Sequence, residues 1–399
     1  MDRLRGAIQH YDWGDSSFIA ELQSRPASGV PEAELWLGAH PQAPSVLERS
    51  GRSLLETISG DPEATLGREV ATTFGELPFL LKVLAAAQPL SIQAHPSRRQ
   101  ARVGFDRENE AGLPQGAGTR VYRDANHKPE LICALTPFEA KCGFRPLDDA
   151  RELFDELGAA FAPVRERLGA TGPDAEVLHG VLAWLLGVGG ADAFALVDAA
   201  VAAADTTLAE HRREVAWSAE IARHHPGDIG VVVVLLLNHV TLEPGDALFL
   251  GAGNLHAYLR GCGVEVMANS DNVVRGGLTT KHVDVDELLS IVDCTPVVPP
   301  VQRPQRSTGR FEAPVADFDL ERQVVSEPTT IGVAGPEIVL VTDGEVVAQS
   351  LESSRQGEAS EQGIALPRGS SLWVPADTLS YELDGRGTIF RCTVGALPE

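Results

Sequence analysis

One short pattern occurs twice in this chain, and the duplication limits the folds open to it more than any other feature. Leu242 to Ala252 reads Leu-Glu-Pro-Gly-Asp-Ala-Leu-Phe-Leu-Gly-Ala, and Leu366 to Ala376 reads Leu-Pro-Arg-Gly-Ser-Ser-Leu-Trp-Val-Pro-Ala. Each copy is a glycine-containing turn followed by an apolar strand, so two copies of one β unit are expected. In the shared register Gly245 meets Gly369, Leu255 meets Leu379 and His256 meets Ser380. Chemistry that needs the histidine therefore belongs to the first copy.

At 399 residues the chain exceeds what a single hydrophobic core usually supports, so two or three domains are expected. The first 145 or so residues carry short apolar runs bounded by Gly, Pro and Ser, such as Leu77–Leu84 and Leu131–Leu135, which read as strands with loops. From Leu147 to about His225 the composition turns to Ala, Leu, Glu and Arg at helical spacing, and the Ala199–Ala204 run fits a helix of that region. Asp148 or Asp149 is the expected cap of the first helix, with breaks at Gly169, Gly172-Pro173 and Gly187–Gly190. The β-branched run Ile229–Asn238 predicts a buried strand and the return of the β region.

Apolar content of 43% with 22% charged residues fits a globular protein and excludes a disordered one. A net charge of −23 argues against nucleic acid or an anionic membrane surface as partner, because counterion release needs clustered Lys and Arg. The five cysteines at 133, 142, 262, 294 and 392 contain no Cys-x-x-Cys and are an odd number, so they read as reduced core residues. Cys262, with no base beside it in sequence, reads as packing and not as a nucleophile. No apolar run reaches the length of a membrane span and the N-terminus lacks a signal-peptide pattern, so a cytoplasmic protein is expected. Gly116–Arg120 opens no helix and reads as a mobile loop.

The chemistry is concentrated at Leu90-Ser91-Ile92-Gln93-Ala94-His95-Pro96. Gln93 and His95 are two apart, so on a strand both leave the same face and converge on one ion. With Glu130 and His256, both at expected strand ends, they supply four ligands for one divalent metal. An amide oxygen, two imidazoles and a carboxylate suit Zn²⁺ and are also acceptable to Mn²⁺ or Co²⁺.

A Pro-Gly-Asp turn, an apolar strand and a small-residue loop delivering His256, with an upstream x-x-His and Glu, resemble the metal site of the cupins, small double-sheet β-barrels. Gln93 stands where that pattern usually has histidine. The substitution is itself informative. Together with His127-Lys128-Pro129-Glu130, Gly143-Phe144-Arg145-Pro146, Tyr11-Asp12-Trp13-Gly14, Glu34–Pro41 and Val266–Leu278, the chain resembles the type I mannose-6-phosphate isomerases over most of its length. The resemblance fades over the helical region and the last 90 or so residues, and Thr279-Thr280-Lys281-His282 departs from the usual proline in second place.

The resemblance implies a zinc enzyme, one Zn²⁺ per chain, interconverting mannose 6-phosphate and fructose 6-phosphate through an enediol and serving GDP-mannose biosynthesis. It implies Gln93, His95, Glu130 and His256 as ligands, Arg275 as the active-site arginine, and Lys82, Ser91 and Lys281 around the phosphate. Glu265 is the favoured base, with His127 and Lys128 as competitors. Tyr258 shares the His256 face and is a candidate for bonding the sugar, and Asp271 is a candidate for orienting Arg275 or another cation. His40, His224, His225 and His239 read as surface or packing residues.

The implied fold is mainly β with an α-helical insert: a cupin-type double-stranded β-helix (jelly roll) from 1–146 and 227–310, a helical insert at 147–226, and a degenerate cupin-like β domain without metal at 311–399, after the linker Thr295–Pro300. The helices are expected to roof one side of the site. A monomer acting on a small sugar phosphate is expected. An iron-dependent cupin oxygenase and a non-catalytic sugar-phosphate sensor are the alternatives. Oxygen dependence separates the first, and binding without turnover the second.

Overall fold

The computed structural model describes residues 1–204, 211–303, 309–351 and 363–396, so part of the expected helical insert, 205–210, lies outside the described residues. Two β units stand side by side with a helical layer on the outer side of the first, and four apolar cores alternate with the sheets between them. All strand pairs within them are antiparallel.

The strand His256–Ala268 organises the first unit. Its beginning pairs with Ile92–Ala94 and Phe138–Phe144, and its end with Phe79–Ala86 and Glu130–Ala134. One strand thus belongs to both walls of a barrel. The crossing falls at Gly261, whose φ of +130° is a region open chiefly to glycine. A Cβ there would lie 2.8 Å from the Phe138 Cα and the Pro137 carbonyl.

Alternation along these strands sorts every side chain. Ile92, Ala94, Ala257, Leu259 and Val274 face the helical layer, while Leu81, Val83, Leu131, Cys133, Val264 and Val266 face the second β unit. The residues between them, Lys82, Gln93, His95, Glu130, His256, Tyr258, Glu265 and Arg275, are left to the barrel interior. That assignment is the link from sequence pattern to site.

The second unit repeats the design. Ser380–Thr393 pairs along most of its length with Glu337–Ser350, and Ser380 begins its strand as His256 begins the other. Gly385, in the same register as Gly261, has a φ of +135°. The interior differs in content: Val325, Val341, Leu366, Leu372, Tyr381 and Ile389 fill it with apolar packing. The N-terminus is stitched into this unit, because Asp2–Arg5 pairs with Ser371–Val374. Phe311, Phe318, Leu340 and Trp373 share one core with Leu37, Leu81 and Val266, so the two β units are not independent bodies.

Helices Leu147–Glu156, Ala162–Leu168, Asp174–Leu186, Gly190–Ala203 and Arg212–His224 form the outer layer, broken where glycine and proline predict. Asp148 and Asp149 lie in the first turn of their helix and do not cap it; Pro146 occupies the cap position. Among the described residues no single helix is long and apolar enough to cross a membrane. A second expectation is corrected. Ile229–Asn238 is not a strand: Gly230–Val233 is helical and Val234–Leu236 a 3₁₀ turn, with a strand only from Leu237. Asp228 starts the helix by accepting the Gly230 N–H at 2.7 Å, and the run is buried on every side among the helices. A wholly buried run carries no periodicity to separate helix from strand.

Replacing Gly261 by alanine should lower unfolding free energy by about 2–4 kcal/mol, combining φ strain with a backbone clash. Denaturant titration measures it; an unchanged midpoint would mean that the strand crosses the barrel without needing this corner.

Candidate metal centre and active site

His95, Glu130 and His256 present ligand atoms that all lie within 4.8 Å of one another, and all three side chains are buried. The Glu130 carboxylate sits between the imidazoles, 3.4 Å from His95 Nε2 and 3.6 Å from His256 Nε2. Each ring is fixed from behind. His95 Nδ1 meets the Asn272 carbonyl at 2.9 Å and His256 Nδ1 the Asn254 carbonyl at 3.0 Å. A carbonyl only accepts, so both Nδ1 atoms carry the proton and both Nε2 lone pairs point into the gap. His95 Nε2, His256 Nε2 and Glu130 Oε2 have no hydrogen-bond partner. Buried acceptors left facing one another are costly unless a cation joins them. The donor set therefore fits Zn²⁺.

Gln93 stands directly opposite both His256 and Arg275 in the neighbouring strands, so the three share a face. Burial outweighs the pull of Glu130 and pushes the His95 imidazole down to about 4, which keeps it neutral as a ligand must be. Burial also opposes charge on Glu130, but His95 and Lys128, whose Nζ is 3.2 Å away, outweigh it and hold the carboxyl well below its usual range.

On the facing wall Trp36, Lys82 and Glu265 line up across three paired strands. Lys82 Nζ lies 3.4 Å from Glu34 and 3.5 Å from Glu265. Burial disfavours this ammonium, yet Glu34 and Glu265 hold it above its usual range. Glu265 moves the other way: burial and the charge of Glu130 push it up to about 7, against the opposing pull of Lys82. Tyr258 is buried nearby, and burial followed by the Glu265 charge raises its hydroxyl well above the ordinary range. Lys82 is thus the centre of an acidic clamp.

The mouth of the barrel is basic. Arg275 is held below its usual range by burial and then by Arg123, and Lys281 by burial, Arg275 and Arg123. These cations repel one another, and among the described residues Arg275 and Lys281 have no ion pair, so the cluster suits an anion. Arg123 has no motif signal in the sequence. Asp271 faces His40, at 3.4 Å, and accepts from Gln42 at 2.7 Å, so its partners are these two side chains and not Arg275. His40, buried against the edge of Trp36, is more than packing. His282 is exposed, and Ser91 sits just before the Gln93 strand.

Asp317 is the residue that sequence reasoning missed. It lies just before the strand Asp319–Val325 of the second β unit, buried, and accepts from Arg98 and His127 at 2.8 Å each. His127 Nε2 lies between the Asp317 carboxylate at 2.8 Å and Arg98 Nη2 at 2.7 Å, an acceptor on one side and a donor on the other, so these contacts hold the ring without fixing which nitrogen carries the proton. Asn272 is similar. Its side chain holds the carbonyls of Asp124 and Asn126 at 2.8 Å while its own carbonyl fixes His95. Arg120, at the end of the Gly116–Arg120 loop, fastens that loop to the carbonyls of Leu113 and Tyr122. All five cysteines are free and buried, and burial pushes Cys262 up to about 12, so it is no nucleophile.

Residues 1–147 match the model of the phosphomannose isomerase type I catalytic domain. A mannose-6-phosphate isomerase of Salmonella typhimurium is 38% identical over 98% of this chain and 99% of its own length. The chain belongs to the type I phosphomannose isomerase family. A second member, mannose-6-phosphate isomerase 1 of Arabidopsis thaliana, is 34% identical over 95% of this chain and 90% of its own. Among solved members of the family, a zinc-bound mannose 6-phosphate isomerase superposes with a TM-score of 0.90 at 37% identity, covering 99% of both chains.

His256→Ala should abolish bound zinc and Ser380→Ala should leave it at one per chain, read by metal analysis after gel filtration. Zinc retained in the first, or lost in the second, would contradict the assignment of the centre to the first β unit.

Proposed function

We propose that this chain is a zinc-dependent aldose–ketose isomerase that interconverts D-mannose 6-phosphate and D-fructose 6-phosphate. The orphaned trio of His95 Nε2, Glu130 Oε2 and His256 Nε2, in a chain of this family, is the observation that carries the reading. Gln93, His95, Glu130 and His256 would hold the metal. When bound, zinc polarises the sugar oxygens at C1 and C2 and offsets the charge that develops on them.

The chain's own residues supply the rest. Glu265, poised near neutrality, takes the proton from C2 of the open-chain aldose and returns it at C1, while the hydroxyl proton of O2 passes to O1. Lys82 holds that carboxylate in place. Tyr258, kept in its neutral form, donates from its hydroxyl to a sugar oxygen, and Lys128 places a positive charge beside it. Arg275 stabilises the enediolate and, with Arg123 and Lys281, receives the phosphate at the mouth. Placing Lys82 in the acidic clamp argues for moving the phosphate anchor from Lys82 to this basic cluster. His127, held between Arg98 and Asp317, stands as the alternative base.

One chain contains every residue named, so a monomer suffices, and we place the reaction in the cytoplasm as a source of mannose 6-phosphate for GDP-mannose synthesis. Oxygenase and sensor readings have no observation in their favour. Arg98, His127 and Asp317 tie the second β unit to the rim of the site, which gives that unit a positioning role.

Two measurements test the proposal. Conversion of mannose 6-phosphate should fall to background on chelation and return with added zinc; turnover that survives complete metal removal would refute it. Arg275→Ala and Glu265→Gln should both keep zinc and lower kcat by about 10²–10³-fold. A full-rate Glu265→Gln would pass the base role to His127.

A further inference from the structure

Among the described residues, buried side-chain atoms that lack a hydrogen-bond partner form two groups, apart from Tyr258 and Asn269. The first is the metal centre, where the orphans are acceptors. In the second they are nitrogens: Lys141 Nζ, Arg145 Nε and His239 Nδ1. The logic that reads a cation from the first group reads an acceptor from the second.

Lys141 and His239 stand directly opposite each other on the strands Phe138–Phe144 and Leu237–Leu242, and Lys141 also faces Ala257 on the long strand. Phe138, Ala140 and Cys142 take the barrel interior, so Lys141 and His239 lie on its outer face, under the helix Arg212–His224. Trp217 of that helix covers the His239 ring at 6.5 Å between centroids. Arg145 leaves the end of the same strand, giving one nitrogen to Glu214 at 2.8 Å and to the Leu237 carbonyl at 3.1 Å. Lys141 is completely buried and Arg145 is 4% exposed.

The donors at this seam are not all matched. Both carboxylates are engaged, Glu139 by the exposed Arg213 and by His239 at 2.7 Å, Glu214 by Arg145. Lysine and arginine nitrogens can only donate, so protein groups leave two buried donors, Lys141 Nζ and Arg145 Nε, without an acceptor. His239 gives its Nε2 proton to Glu139, which makes Nδ1 a lone pair able to take one Lys141 N–H and no rival for the other donors. Alone, the cluster disfavours the ammonium: burial and then Arg145 push Lys141 down to about 7. An adjacent negative charge reverses that shift.

We propose that this seam binds one small monovalent anion, of chloride size, between Lys141 Nζ and Arg145 Nε. One small anion supplies the acceptor that both buried donors lack and favours the charged form of Lys141. The site lies behind the strand that carries His256, since Lys141 faces Ala257, so the anion fastens the helical layer to the metal-bearing wall.

The test uses the full chain at constant ionic strength, exchanging gluconate for chloride or bromide. Melting temperature should rise saturably with the halide, by about 2–5 °C, and Lys141→Met should remove the halide-dependent increment. A bromide-soaked crystal of the unaltered protein should show an anomalous peak within hydrogen-bonding distance of Lys141 and Arg145. No halide-specific rise, an undiminished rise in Lys141→Met, or water alone at that position would overturn the proposal. Should Lys141→Met fail to fold, the bromide map decides by itself.

Discussion

The strand His256–Ala268 pairs with four others and belongs to both walls of the barrel, and the site depends on that double membership. A strand's side chains alternate, so a strand shared by two walls brings His256 and Tyr258 from one and Glu265 from the other into a single interior. The corner at Gly261 makes this possible without breaking the chain. The second β unit keeps the corner, at Gly385, and packs its interior with Val, Leu and Ile around Tyr381 in place of a metal site, so architecture and chemistry are separable inherited parts of one molecule.

Electrostatics gives the interior its order. Lys82, Lys128, Glu34, Glu130 and Glu265 are all buried, which is tolerable only because each is placed against an opposite charge or a hydrogen-bonding partner. The balance is graded. Glu130, beside Lys128 and the imidazoles, is kept ionised for a metal, while Glu265, diagonal to Glu130 on the neighbouring paired strand, is pushed toward neutrality. Two carboxyls in one pocket thus acquire different tasks from their surroundings. The basic mouth formed by Arg123, Arg275 and Lys281 supplies what an acidic protein needs to admit a phosphorylated substrate.

Much of this was legible in the sequence because it depends on local spacing. Gln93 and His95 two apart, and His256 and Tyr258 two apart, announce shared faces, and the aligned Gly245 and Gly369 announce a repeated turn. Gly169 and Gly187 mark helix ends. What was not legible depends on long-range packing. Ile229–Asn238 is too uniformly apolar to reveal its period, and its partners are helices rather than strands. Asp317 acquires its role only when the second β unit docks, and Arg123 only when its loop folds against Asn272. Lys82 reads as a free cation in sequence and is a clamped one in space, because Glu34 and Glu265 arrive from distant strands. Asp2–Arg5 joins the C-terminal sheet for reasons no local pattern contains.

X-ray absorption of the zinc-loaded protein tests the central claim, that two imidazoles and oxygen donors from this barrel hold the metal, most directly. The expected spectrum has a nitrogen and oxygen shell near about 2.0–2.1 Å with the scattering of two histidine rings and no sulfur. A sulfur shell at about 2.3 Å, or a single ring, would contradict the centre built from Gln93, His95, Glu130 and His256.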